Sequence, residues 1–366
     1  MYVPQNPALD SSWAGFCLLG AYIFVNMTTV AMQSKKSSIV EPHDDSWHYL
    51  DDRDEKHEEN YVEWKYFNFV QKDLAGYVIY YILDPEKKTK LGGGRLVVRI
   101  LKDGIPYGLV KKIEMDKIEL DAISASMRMD GAKILEHDSY HYELDCQSPD
   151  ISWNLHYKQK APSIEAFQNV NPGLMRWEKM DWLIKMPRAE VKGDIRIGKE
   201  TFLIDALGYS DTNWGEMVPF FSRYEWGQYN EEAFSLVFGL LYGLEKIKST
   251  YVYLVIGEHL IKLENAQFEV GHVEWEKDET IGIKIPSKNI FLVKNKEYEI
   301  KFSTKLIYHD SPGMKVHPLL PKVVVSEQIV EYEGSVSKDG TILHEFKGRG
   351  FEEWSGKTWK KIPLSF

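Results

Sequence analysis

From residue 61 onward the chain is a succession of short runs in which apolar and polar residues alternate, or β-branched and aromatic residues cluster. Most are closed by Asp, Gly, Pro or Asn. A chain patterned this way makes its backbone hydrogen bonds between strands, in a sandwich or a barrel. Residues 61–70 (YVEWKYFNFV) set Val62, Trp64, Tyr66 and Asn68 against Glu63, Lys65, Phe67 and Phe69, the period of a strand with two distinct faces. Residues 77–83 form a compact β-branched and aromatic run ended by Asp84-Pro85, and Gly92 to Gly94 open a strand at 95–101 that Asp103-Gly104 closes as a tight turn.

Further strands are expected at 117–120, 124–129, 139–146 and 152–158. A second series is expected at 250–256, 260–270, 273–277, 280–285, 298–308, 322–332 and 348–359. Residues 231–244 look helical by apolar density, yet Gly239 and Gly243 suit a bulged strand equally well. The two series divide near Gly208, in a polar, glycine-containing stretch. The acidic, histidine-bearing residues 41–60 read as an exposed segment leading into the first strand.

Composition narrows the class. Of 366 residues, 11 are Trp, 21 Tyr and 16 Phe, which suits sheets and apolar pockets, or simply an aromatic-rich core. The net charge of −10 is dispersed, with no Lys/Arg face to track phosphates, so nucleic acid is not an expected partner. Cys17 lies in the apolar N-terminal run and leaves Cys146 alone in the body, so neither a disulfide nor a thiolate metal cage is implied. Residues 13–32 are charge-free and just long enough to span a bilayer. A membrane anchor, a cleaved signal peptide and a buried element all remain open for them, and localisation with them.

Standard catalytic signatures are missing. Gly92-Gly93-Gly94 lacks the Lys-Ser/Thr of a phosphate loop, and there is no nucleophile elbow and no His-Glu-x-x-His. His137 and His141 are four apart in a strand-like region, a separation of about 13 Å along one strand, too far to share a metal. No metal and no cofactor is expected.

The densest stretch is residues 206–230 (ALGYSDTNWGEMVPFFSRYEWGQYN), where Asp211, Asn213, Glu216, Arg223, Glu225 and Gln228 interleave with Tyr209, Trp214, Tyr224 and Trp226. Polar groups among rings are costly to bury unless each finds a hydrogen bond, so the stretch reads as a site or as a loop tethered by its Asp and Asn side chains.

Three segments carry a family resemblance: residues 63–68 (EWKYFN, near E-W-W-Y-F), 208–215 (GYSDTNWG, near G-Y-x-D-H-N-W-G) and 224–228 (YEWGQ, near W-x-W-G). Residues 187–193 and 348–352 also fit. In this order they resemble the carotenoid 1,2-hydratase (hydroxyneurosporene synthase) and AttH-like superfamily, which includes fungal decalin-forming Diels–Alderases. The likeness spans residue 47 to the C-terminus. It implies an all-β chain of two tandem lipocalin-like antiparallel barrels side by side, at 47–207 and 208–366, behind an N-terminal segment and linker at 1–46. It also implies a hydrophobic polyene, prenylated or polyketide-like ligand in an aromatic-lined cavity.

On that reading Trp64, Tyr66, Asn68, Tyr209, Trp214, Tyr224, Trp226 and Gln228 would line the ligand. A cycloaddition would use a hydrogen bond to an activating carbonyl from Asn213, Gln228 or Tyr66. A hydration or cation cyclisation would use a buried acid, Asp211 or Glu63, to protonate an alkene, with the indoles of Trp64, Trp214 and Trp226 facing the cation. Lys65 stands where the family has a second Trp. Thr212 replaces the family's His, leaving Asp211 or Glu216 to take over any proton transfer. A carrier without catalysis is the competing reading, and a structural interaction module a third.

Overall fold

The computed structural model describes residues 45–51, 61–86, 92–170, 179–216, 223–243, 246–263, 266–279, 282–310, 313–314 and 322–358. The first strand series is β1 (Tyr61–Gln71), β2 (Leu74–Leu83), β3 (Gly93–Lys102), β4 (Ile105–Ile113), β5 (Ile118–Leu120), β6 (Met127–Met129), β7 (Ala132–Asp138), β8 (His141–Cys146), β9 (Ile151–Gln159), β10 (Ile164–Val170), β11 (Lys179–Ile197) and β12 (Glu200–Glu216). The second is β13 (Arg223–Glu231), β14 (Phe234–Gly243), β15 (Lys246–Ile256), β16 (His259–Lys262), β17 (Gln267–Lys277), β18 (Lys284–Lys294), β19 (Tyr298–Asp310), β20 (Gly313–Met314), β21 (Lys322–Lys338) and β22 (Thr341–Thr358). One helical turn, α1 (His48–Asp51), precedes them.

The strands form two antiparallel sheets. The 12-stranded sheet runs β4-β3-β2-β1-β12-β11-β9-β8-β7-β6-β5 with β10 on β11, and curls into a nearly closed barrel. The 10-stranded sheet runs β16-β15-β14-β13-β22-β21-β19-β18-β17 with β20 on β21. The chain is therefore all-β, two lipocalin-like barrels packed together. Hairpins set the register. Between β3 and β4, Asp103 and Gly104 take φ of 49° and 79°, the left-handed pair that a two-residue turn requires, and Lys102 faces Ile105 across it.

Three cores follow from the period of two. Phe67 and Phe69 of β1 join the core of the first sheet, with Trp153, Tyr157 and Tyr142. Phe238, Phe291, Phe302 and Tyr332 fill the second. Tyr66, on the opposite face of β1, belongs to a third core built from both sheets, with Tyr77, Trp182, Tyr209, Trp226, Tyr253 and Phe351. β1 and β12 thus face protein on both sides, which is why polar residues there end up dry.

Several expectations change. Gly208 lies inside β12, paired with Phe69, and the change of sheet falls between β12 and β13. The polar stretch at 208 belongs to a wall between two sheets. Residues 231–244 contain no helix among the described residues: β13 ends at Glu231 and β14 begins at Phe234. Residues 45–47, expected to be exposed, are buried. Asp45 is 1% exposed and Trp47 is fully enclosed, its indole N–H donating to Ala125 O at 3.2 Å. Residues 13–32 lie outside the described residues, among which no helix is long and apolar enough to cross a membrane.

Candidate active site

The register of β1 against β12 places Trp64 opposite Asn213, Tyr66 opposite Asp211 and Asn68 opposite Tyr209, all on the face turned to the second sheet. β13 brings Trp226 and Gln228 to meet them. The Trp226 indole lies 5.6 Å from the Tyr66 ring and 5.2 Å from the Tyr209 ring, centre to centre. Gln228 Nε2 donates to Asn68 Oδ1 at 3.2 Å across the sheets. Two sequence segments 160 residues apart thereby form one polar–aromatic layer.

At its centre is Asp211, 5% exposed. Its Oδ2 accepts the Tyr209 hydroxyl at 2.7 Å and the Trp182 indole N–H at 2.9 Å; Oδ1 accepts Asn213 Nδ2 at 3.4 Å. Burial pushes this carboxyl up to about 7. The Tyr209 and Trp182 donors offset part of that rise, while the charges of Glu353 and Asp45 add to it. The group exchanges a proton near neutral pH.

Two more acids share the layer. Glu327 of β21 and Glu353 of β22 face each other in register. Burial raises both, and the charge of Glu353 raises Glu327 further. Tyr224 interacts with the Glu353 carboxylate and helps to hold it down. Beside them Arg99 pairs with Asp310, which also accepts the Tyr77 hydroxyl at 3.5 Å. This contact ties β3 of one sheet to β19 of the other.

Other sequence candidates point elsewhere. Glu63 faces away from Asp211 and is fully engaged: it accepts the backbone N–H groups of His48 (3.0 Å) and Tyr49 (3.1 Å) and the Tyr61 hydroxyl (2.9 Å). It anchors α1 to the barrel. Trp214 stacks on the His48 ring at 3.5 Å over the same helix, and Glu216 ends β12 opposite Tyr61. Thr212 and Lys65, the two departures from the family pattern, lie together inside the first barrel. There Lys65 Nζ holds Asp45 Oδ1 at 2.8 Å, with Thr212 and Tyr142 donating to the same carboxylate. Burial raises Asp45, but the charges of Lys65 and Lys185 and the hydrogen bonds of Lys65 and Thr212 outweigh it and keep the carboxyl below its usual range.

Among the described residues this layer does not enclose the open chamber expected from the sequence. Tyr66, Tyr209, Trp226 and Phe351 fill the layer themselves. A cavity of about 10 Å³ remains beside Tyr77, Arg99 and Glu327, and another of about 10 Å³ inside the second barrel beside Glu352 and Trp354. Each is the size of a single water, against about 300–1,000 Å³ for a drug-sized pocket.

Sequence reasoning missed Trp182, Glu327 and Glu353, which sit in ordinary alternating strands and carry no local signal. It also missed a second buried acid cluster in barrel two. There Glu352 accepts Asn289 Nδ2 and Thr304 Oγ1, both at 3.1 Å, and burial pushes it up to about 8. The histidines were misjudged: turn residues 139–140 fold His137 and His141 onto adjacent arms of a hairpin, with rings 4.7 Å apart.

Two packed lipocalin-like barrels define the fold, and solved structures share it. A protein of Nitrosomonas europaea provisionally designated AttH superposes with a TM-score of 0.61 at 14% identity, covering 89% of this chain and 99% of its own. CghA, solved with Sch210972, gives 0.61 at 10% identity, covering 82% and 89%. Kievitone hydratase from Nectria haematococca gives 0.55 at 12% identity, covering 81% and 89%. The fold is that of the AttH-like lipocalin-like proteins. No protein-family model matches the chain, and no curated protein matches it.

Proposed function

We propose that this chain is a cofactor-independent enzyme that protonates an unsaturated hydrophobic small molecule in the layer between its barrels, leading to hydration or ring closure. The observation that carries this is Asp211, a dry carboxyl poised near neutral pH among Tyr66, Tyr209, Trp182 and Trp226. Oδ2 is occupied by two donors, so the transferable proton resides on Oδ1. Its transfer to an alkene carbon leaves a carbocation facing the Trp226 and Tyr66 rings. Water, or a second double bond of the substrate, then forms the new bond, and loss of a proton to the carboxylate restores Asp211.

Among the proteins of this fold CghA is a Diels–Alderase and another is kievitone hydratase, so both ring formation and water addition occur on it. The acid cluster favours proton chemistry over templated cycloaddition here. Substrate binding requires the ring layer to part, a conformational step. The test is to incubate the full chain with an extract of its host and identify what it retains and converts by mass spectrometry. Conversion that Asp211→Asn reduces by orders of magnitude supports the reading. Conversion that survives the substitution supports templating, and a ligand returned unchanged supports a carrier.

A further inference from the structure

His137 of β7, His141 of β8 and His156 of β9 come together on the outward face of the first sheet. Their neighbours in the alternation, Tyr142, Leu144, Leu155 and Tyr157, point into the barrel core, so these imidazoles lie on the other side. β7, β8 and β9 are consecutive in the sheet, and His141 pairs with Lys158 while Glu143 pairs with His156, which makes His141 and His156 diagonal neighbours.

We propose that His137, His141 and His156 form a binding site for a divalent cation of borderline softness, with Zn²⁺ as its representative. One ligand nitrogen from each residue lies within 4.8 Å of the other two. His141 Nε2 and His156 Nδ1 are already 3.1 Å apart. Tetrahedral Zn²⁺ with bonds of about 2.0–2.1 Å needs nitrogens about 3.3 Å apart, so one edge of the tetrahedron is in place. His137, with 42% of its side chain exposed, is the most exposed of the three. A cation replaces the hydrogen that His141 and His156 now share.

Glu143 stands 2.9 Å from His137 Nε2 and also accepts Asn154 Nδ2 at 3.0 Å, while Lys133 Nζ lies 3.7 Å away. A carboxylate on a metal-ligating imidazole orients the ring and raises its basicity. Three imidazoles without a thiolate select Zn²⁺, Cu²⁺, Ni²⁺ or Co²⁺ over Mg²⁺ and Ca²⁺. Bound there, the ion would clamp the β7–β8 hairpin to β9, far in sequence from Asp211.

The experiment is calorimetric titration of the chelator-stripped full chain with Zn²⁺ at pH 7.5. One equivalent should bind with a dissociation constant in the micromolar range or tighter. Each of His137→Ala, His141→Ala and His156→Ala should weaken binding at least about tenfold, and Glu143→Gln by a smaller factor. His259→Ala, remote and exposed, should leave it unchanged. Circular dichroism verifies that each outward-facing variant is folded, with His156→Asn as a second substitution should an alanine variant fail. Binding that the three histidine variants leave intact, or no binding up to 100-fold excess Zn²⁺, overturns the proposal.

Discussion

Trp182 on β11 donates its indole N–H to Asp211 Oδ2 on β12, and the far edge of that indole rests on Gly239 of β14, in the other sheet. The orientation of the acid is therefore set across the boundary between the barrels. A Cβ placed on Gly239 would stand 3.0 Å from Trp182 Cζ3.

Gly239→Val should push the indole off Asp211. The expected cost is about 1–3 kcal/mol in stability, as for other overpacked interiors. Turnover should also fall, and Gly239→Ala should show the same trend more weakly. Urea denaturation and a change in native tryptophan fluorescence provide the check.

Asp211 makes stability depend on pH. Its folded value, about 7, lies above that of an unfolded aspartate, so between pH 4 and 7 the native state holds more protons. Stability attributable to this group is highest below pH 4, declines as pH rises to 7 and is then flat. Asp211→Asn removes that decline. The variant should gain on the parent by an amount that grows from pH 4 to 8 and reaches on the order of a few kcal/mol. A melting-temperature difference that is the same at both ends contradicts the assignment.

Lys65 and Asp45 form a buried pair, each side chain 1% exposed. Breaking such a pair strands a charge and costs about 3–5 kcal/mol, so Lys65→Met should destabilise by that amount. The double substitution Lys65→Met with Asp45→Asn should recover most of it, which a double-mutant cycle in guanidinium measures. Because Asp45 is held below its usual range, its contribution is present above pH 4 and lost as pH falls.

Burial pushes the Cys146 thiol up to about 11. At pH 7.5 it should resist alkylation in the native chain and react at the ordinary rate once unfolded. Peptide mapping after iodoacetamide treatment, with and without denaturant, distinguishes the two states.

The alternation at 61–70 marked a strand with two faces, and the structure sorts those faces as Phe67 and Phe69 in one core and Tyr66 in another. The crowding of polar groups among rings at 206–230 read as a site or a tethered loop; its described residues lie on β12 and β13, where Tyr209, Asp211, Asn213, Trp226 and Gln228 converge with Tyr66 and Asn68. The same alternation could not say that Glu63 and Trp214 serve α1, since that depends on what the lead-in chain packs against.

By itself the sequence determined that this protein is all-β and which strand faces are aromatic, because strand period and turn chemistry are local. Only the tertiary structure decided that Glu327 and Glu353 join Asp211, that Trp182 orients it and that three histidines meet on the outer wall. Those juxtapositions depend on strand order and on the contact between two sheets, which no window along the chain contains.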